Sequence, residues 1–202
     1  MRRGFRPYSF YARTVVPEAP LEQAEAGLVA AGDGWFVVNA REARWFHREG
    51  RGELLPLTGN FETDDEAEWH RVLSFPQFGV NLFVLEPGEP ISVYHGEDAQ
   101  ENFLVLGGDC VLVIEGQERS LKHWDFVHCP PWTEHTIVGA GAGPCVVLAV
   151  GTRGSEGIRF PANGAAAKHG ASSERDTTDG GEAYGRFPAG YDTRYRDDLL
   201  PE

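Results

Sequence analysis

Two short stretches hold most of the residues that could do chemistry. One is Tyr94-His95-Gly96-Glu97-Asp98-Ala99-Gln100-Glu101-Asn102-Phe103. The other is Asp125-Phe126-Val127-His128-Cys129-Pro130-Pro131-Trp132-Thr133-Glu134-His135. Imidazole and carboxylate together make mixed nitrogen and oxygen sites for divalent ions. On an extended chain His95 and Glu97, two apart, point to one face. Glu101 has the parity of Phe103 and Val105, which belong to an apolar interior, so it points inward with them. A lone carboxylate there is costly unless it is paired or metal-bound. Two imidazoles and two carboxylates around one 2+ ion would meet that need, provided His135 reaches the same face. The rigid Pro130-Pro131 corner before it is suited to aim it there.

The elements that must position these residues read as strands. Val80–Leu85 ends at Pro87-Gly88, Phe103–Leu106 at Gly107-Gly108, Cys110–Ile114 at Glu115-Gly116, and Val146–Val150 at Gly151. Short β-branched runs with glycine-rich turns at roughly ten-residue intervals are the pattern of an all-β sandwich or barrel. Trp35–Asn39 and Glu53–Leu57 are expected to add strands in front. Three parts follow from composition: an N-terminal arm over 1–30, with an alanine-rich, helical piece at 21–31; a β-barrel over 31–153; and a Gly/Ser/Asp-rich tail over 154–202. The tail has few large apolar residues and is expected to be mobile or laid over the barrel, adding little core. Its aromatic residues Tyr184, Phe187, Tyr191 and Tyr195 are the parts able to dock. Asp64–Val72 is expected to form one helical turn.

The 202 residues carry a net charge of −13, and 24% of them are charged. Such a balance argues against nucleic acid and anionic membrane surfaces as partners. No run approaches the roughly 18 apolar residues of a membrane helix. Tyr8–Ala12 is too short and polar for the core of an export signal and is interrupted by Arg13, so a cytoplasmic location is expected. Cys110, Cys129 and Cys145 are odd in number and widely spaced, and read as small buried hydrophobes. Of the adjacent pair His128 and Cys129 only one can face inward. Both are read as packing residues, with His128 a secondary candidate for a proton shuttle. Gln100 has the opposite parity to Glu101 and faces out. His47, His70, His123 and His169 read as surface histidines.

The two stretches resemble the motifs of the cupins. The first motif of that family, a Pro-Gly turn, then H-x-H, Glu and Gly, is matched by Pro87-Gly88, His95-Gly96-Glu97, Glu101 and Gly108. The second, an Asp followed by P-x-G-x-x-H, is matched by Asp125, Pro130, Trp132 and His135. Glu97 stands where the family has its second histidine, Trp132 replaces a glycine, and one extra residue precedes His95. The resemblance implies a single double-sheet antiparallel barrel of jelly-roll type, a homodimer, and one divalent ion (Fe, Mn or Zn) held by His95, Glu97, Glu101 and His135. The substitution at Glu97 leaves a second arrangement open, with three ligands and Glu97 as a general base. Phe83, Phe103 and Val105 share the inward parity and are expected to line a pocket, with Trp132 at its rim or over it.

For function the resemblance implies either of two classes. One is a metal-dependent enzyme of oxygenase (dioxygenase) or isomerase type acting on a small polar metabolite. The other is a non-catalytic module that binds a small ligand and carries a structural metal. A barrel whose metal site has decayed is the third reading.

Overall fold

The structure is a computed structural model that describes residues 16–31, 34–57, 77–154 and 157–200. Its strands are β1 Leu21–Ala24, β2 Gly27–Ala30, β3 Trp45–Arg48, β4 Gly52–Pro56, β5 Phe78–Leu85, β6 Gly96–Glu97, β7 Glu101–Gly107, β8 Asp109–Ile114, β9 Gln117–Lys122, β10 Phe126–Cys129, β11 His135–Ala140, β12 Cys145–Thr152, β13 Ile158–Arg159 and β14 Tyr191–Thr193. Two short helices, α1 Gly164–Lys168 and α2 Gly180–Tyr184, interrupt this series. A seven-stranded sheet in the order β10-β7-β12-β5-β4-β3-β14 faces a three-stranded sheet β11-β8-β9, and β13 pairs with β6. Every ladder between strands is antiparallel. The molecule is thus an all-β, double-sheet barrel of jelly-roll type.

Strict alternation on the central strands builds this architecture. Phe83, Leu85, Phe103, Val105, Val127, Cys129, Cys145 and Val147 turn inward, meet Cys110, Leu112 and Ile137 of the smaller sheet, and form the barrel core. Their neighbours Leu82, Val84, Val146 and Leu148 turn outward. They are covered by Val38, Ala40 and Ala43 from one end of the chain and by Tyr195, Leu199 and Leu200 from the other. All three cysteines are free and buried. Among the described residues no helix is long and apolar enough to cross a membrane.

Four expectations are corrected. The alanine-rich piece at 21–31 is a hairpin, β1 against β2, not a helix. Gly27 explains it: its φ is +144°, and a Cβ there would lie 2.6 Å from the backbone carbonyl of Ala43. Close backbone approach and strand pairing override the helix preference of alanine. The Trp35–Asn39 segment makes only an isolated bridge, Glu18 to Trp35, and the front strand of the sheet is β3 instead. The segment after 153 is no poor core-former: Phe160, Ala166, Ala171, Ala183 and Leu199 are all buried. Ala166 and Ala171 pack with Tyr94, Val113 and Val138, so small side chains do the filling. Asp64–Val72 and His70 lie outside the described residues. His47 is not a plain surface histidine, since its Nδ1 lies 3.0 Å from the buried Glu53 carboxylate.

Candidate metal centre

Four elements bring the candidate ligands together. Glu101 opens β7, directly across from Gly151 of β12 and from Cys129 of β10. His135 opens β11, laddered to Ile114 of β8. His95 ends an irregular run and bridges to His135 through a reciprocal pair of backbone hydrogen bonds of 3.1 and 2.8 Å. Glu97 lies two residues on, in β6. One ligand atom each from His95, Glu101 and His135 falls within a 4.8 Å cluster. His135 Nε2 is 3.1 Å and His95 Nε2 is 3.7 Å from Glu101 Oε2. Glu97 is not part of this cluster, though close enough to feel the charges of all three.

The hydrogen bonds of the two imidazoles decide what the cluster can hold. His95 Nδ1 donates to the Val93 carbonyl at 2.8 Å, and His135 Nδ1 donates to the Thr133 carbonyl at 2.9 Å. A carbonyl can only accept, so the proton of each neutral ring sits on Nδ1 and each Nε2 presents a lone pair. Both lone pairs face Glu101 Oε2, a buried oxygen with no aligned hydrogen-bond donor. Three electron-rich atoms converging in a buried site require a cation or a proton among them. Backbone-anchored Nδ1 with free Nε2 is also how metal-binding histidines are oriented. The donor set therefore fits a divalent ion.

Without an ion, a proton takes that place. Burial alone would lower the His135 value, but hydrogen bonds to Cys129 and to Glu101 outweigh it and hold the ring at about 10. For Glu101, burial pushes upward, and the hydrogen bonding and charge of His135 and His95 override it, keeping the carboxyl far below the ordinary range. Glu97 moves the other way. Burial first, and the charge of Glu101 second, raise its carboxyl above the usual value, while His95, His135 and Arg153 only partly offset this.

Phe103 packs on His135, ring centroids 5.2 Å apart, while Val105 and Phe83 sit deeper in the barrel core. Trp132 stands apart from them at the rim, with φ +67°, its N–H donating to the Glu97 carbonyl and the Arg159 guanidinium 5.5 Å above its ring. A surface cleft of about 580 Å³ opens beside that rim between Glu134, Arg159, Pro161, Asp176, Thr177 and Thr178. None of the expected apolar wall lines it. Gln100 is exposed. His128 also points outward, its Nδ1 2.8 Å from the Asn102 amide oxygen. Its neighbour Cys129 points inward to His135, a contact readable only once the pairing of β10 with β7 places it across from Glu101. Phe160 was not foreseen from the sequence, and Tyr184 was foreseen only as an aromatic residue able to dock, not as a neighbour of the centre. The Phe160 ring lies 6.0 Å from that of His95, and the Val93 N–H donates to the Tyr184 hydroxyl. No local periodicity connects residues so far apart in the chain.

A family profile described as a cupin domain matches residues 81–151. No curated protein matches the sequence. A structure from Acidithiobacillus ferrooxidans, described as a candidate sugar phosphate isomerase, is 28% identical, with a TM-score of 0.38, over 41% of this chain and 54% of its own, so the match spans about half of that protein. A sugar phosphate isomerase from a cupin superfamily, from Silicibacter pomeroyi, is 22% identical over 80% of this chain and 86% of its own, with a TM-score of 0.42. A cupin protein from Bacteroides fragilis is 19% identical over 48% of this chain and 87% of its own, with a TM-score of 0.38. The matched segment runs from β5 through the strands that carry the candidate ligands to β12, and it is a cupin domain.

Proposed function

We propose that this protein is a metal-dependent enzyme in which His95, Glu101 and His135 hold one divalent ion and Glu97 serves as the acid or base toward a small polar metabolite. The convergence of two Nε2 lone pairs on the unpartnered Glu101 Oε2 carries this reading. Structural metal sites are closed by four protein ligands, whereas catalytic sites keep positions free for substrate. Here three ligands converge and the fourth candidate, Glu97, stands outside them. Bound at this triad, Fe²⁺, Mn²⁺ or Zn²⁺ would supply Lewis-acid polarisation of a substrate oxygen.

The protein's own groups supply the rest. The Glu97 carboxyl, half-buried beside the triad, can take a proton from one substrate atom and return it to another, which is the requirement of an isomerase or epimerase. Arg153 offers a contact for an anionic substituent: its guanidinium lies against Gly79 at the barrel mouth, near Glu97, and makes no ion pair among the described residues. Phe103, packed on His135, keeps water from one flank. A second reading rests on the donor set itself, since two imidazoles and one carboxylate also suit Fe²⁺ oxygenases. The two differ in their dependence on Glu97.

Metal content after purification without added metal tests the proposal, with His135→Ala, Glu101→Gln and Glu97→Gln compared. The first two should lose metal and Glu97→Gln should keep it. Equal metal content in His135→Ala, Glu101→Gln and the parent would refute the site.

A further inference from the structure

The two histidines of the centre are supported in unequal ways. His135 belongs to the β11 ladder, continuous with β8 from His135 to Ala140, and its side chain is 2% exposed. His95 closes the run Ile91–His95, which forms no regular strand and meets β11 only at scattered points. Ile91 N–H donates to Ile137, Thr136 Oγ1 donates to the Ser92 carbonyl, and His95 bridges to His135. The remaining support comes from beyond the barrel. Tyr94 N–H donates to the Ala171 carbonyl at 2.7 Å, and Val93 N–H donates to the Tyr184 hydroxyl at 3.3 Å. Gly96 and Glu97 pair with Arg159 and Ile158, and Asp98 N–H donates to the Gly157 carbonyl at 3.1 Å. Phe160, 2% exposed, packs its ring against His95 and is itself fixed by two hydrogen bonds with Thr177. The Tyr184 and Phe160 rings meet edge-to-face, 5.6 Å apart, and the Arg51 guanidinium lies 4.6 Å over the Tyr184 ring. His95 is also the ligand farther from Glu101, 3.7 Å against 3.1 Å.

We infer that the segment from Gly157 to Tyr184 is the positioning element of the metal centre, setting through Phe160 and Tyr184 where the His95 imidazole stands and hence how tightly the ion is held. The inference rests on His95 being a ligand. An imidazole whose carrier backbone is anchored by another segment keeps its affinity only while that anchor holds, as with other outer contacts of metal ligands. His135 and Glu101 are each fixed by a continuous strand ladder, whereas His95 has only an isolated bridge.

Co²⁺ titration of the full-length chain, followed by its visible absorption, measures both affinity and coordination. Tyr184→Phe keeps the ring and removes only the hydroxyl that anchors Val93, so it serves even if Phe160→Ala folds poorly. Leu199→Ala is the control: it lies C-terminal to that segment and packs on the outer face of the large sheet, in a cluster that contains neither His95 nor Phe160. Phe160→Ala and Tyr184→Phe should weaken Co²⁺ binding by roughly 10- to 100-fold and alter the absorption spectrum, while Phe160→Leu restores most of the affinity. Leu199→Ala should lower the melting temperature and leave affinity and spectrum unchanged. If the parent binds Co²⁺ and the Phe160 and Tyr184 variants bind it no more weakly than Leu199→Ala, the positioning role is overturned and the metal site stands. If the parent itself binds no Co²⁺, the metal site falls and this inference with it.

Discussion

Removal of metal should make the stability of the protein depend on pH in a direction that His135 dictates. In the folded chain its imidazole is held at about 10, against 6.5 when unfolded. A group whose value is raised on folding contributes stability in full below the unfolded value, and loses it as pH rises toward the folded one. The window therefore opens near pH 6.5 and closes near pH 10. A gap of about 3.5 pH units at roughly 1.36 kcal/mol each gives about 5 kcal/mol, of which about 4 kcal/mol is lost by pH 9.5. Glu101 is the other half of the same interaction and adds no second contribution. For a chain of this size the loss is roughly 8 to 16 °C in melting temperature. Thermal melts followed by circular dichroism, in chelator at pH 6.5 and 9.5, would measure it. His135→Gln corrects for every other group that titrates in this range, so the difference between parent and variant is the quantity of interest. Saturating Zn²⁺ should abolish the parent's slope, because the ion displaces the proton. A parent whose slope in chelator equals that of His135→Gln would refute the argument that a proton replaces the cation.

Cutting the chain after Arg153 should abolish cooperative unfolding, since it removes Phe160, Ala166, Ala171 and Leu199 from their packing; Phe160 alone is worth about 3 to 5 kcal/mol. A truncated chain melting like the parent would show those contacts to be dispensable. Replacing Glu97 with His should leave metal bound with its preference unchanged, since residue 97 stands outside the triad; a move toward softer ions in competition between Mn²⁺ and Zn²⁺ would make residue 97 a ligand.

What could be read in advance divides along a physical line. Inward parity placed Glu101 with Phe103 and Val105 because the two-residue period of a strand is local, and the structure has all three on the interior side of β7. The runs at Val80–Leu85 and Cys110–Ile114 were legible for the same reason, bounded as they are by glycine turns. The choice between His128 and Cys129 was not, because it depends on which residue of β7 each one faces. Nor could composition place Glu97 outside the cluster, a matter of a few ångströms on a two-residue strand. Alanine content misled twice. At 21–31 it suggested a helix where Gly27 meets the Ala43 backbone, and after residue 153 it hid Ala166 and Ala171, whose small size is what lets that segment approach Tyr94.

The pairing of β14 with β3 has a bearing on how the chain reaches this state. Tyr191–Thr193 lie against Trp45–His47, so the margin of the seven-stranded sheet is completed by residues from opposite ends of the described chain. Until they meet, the backbone donors and acceptors of β3 on that side stay open, beside a Trp45 that is wholly buried once folding is complete. Such non-local closure is slow, and an open strand margin recruits other chains. Newly made molecules should therefore pass through an interval in which the barrel has formed and its flank is still adhesive. Pulse-labelled hydrogen exchange should show protection at His47, whose backbone faces β14, appearing after that at Phe83 and Val147; simultaneous protection would mean the sheet closes in one step.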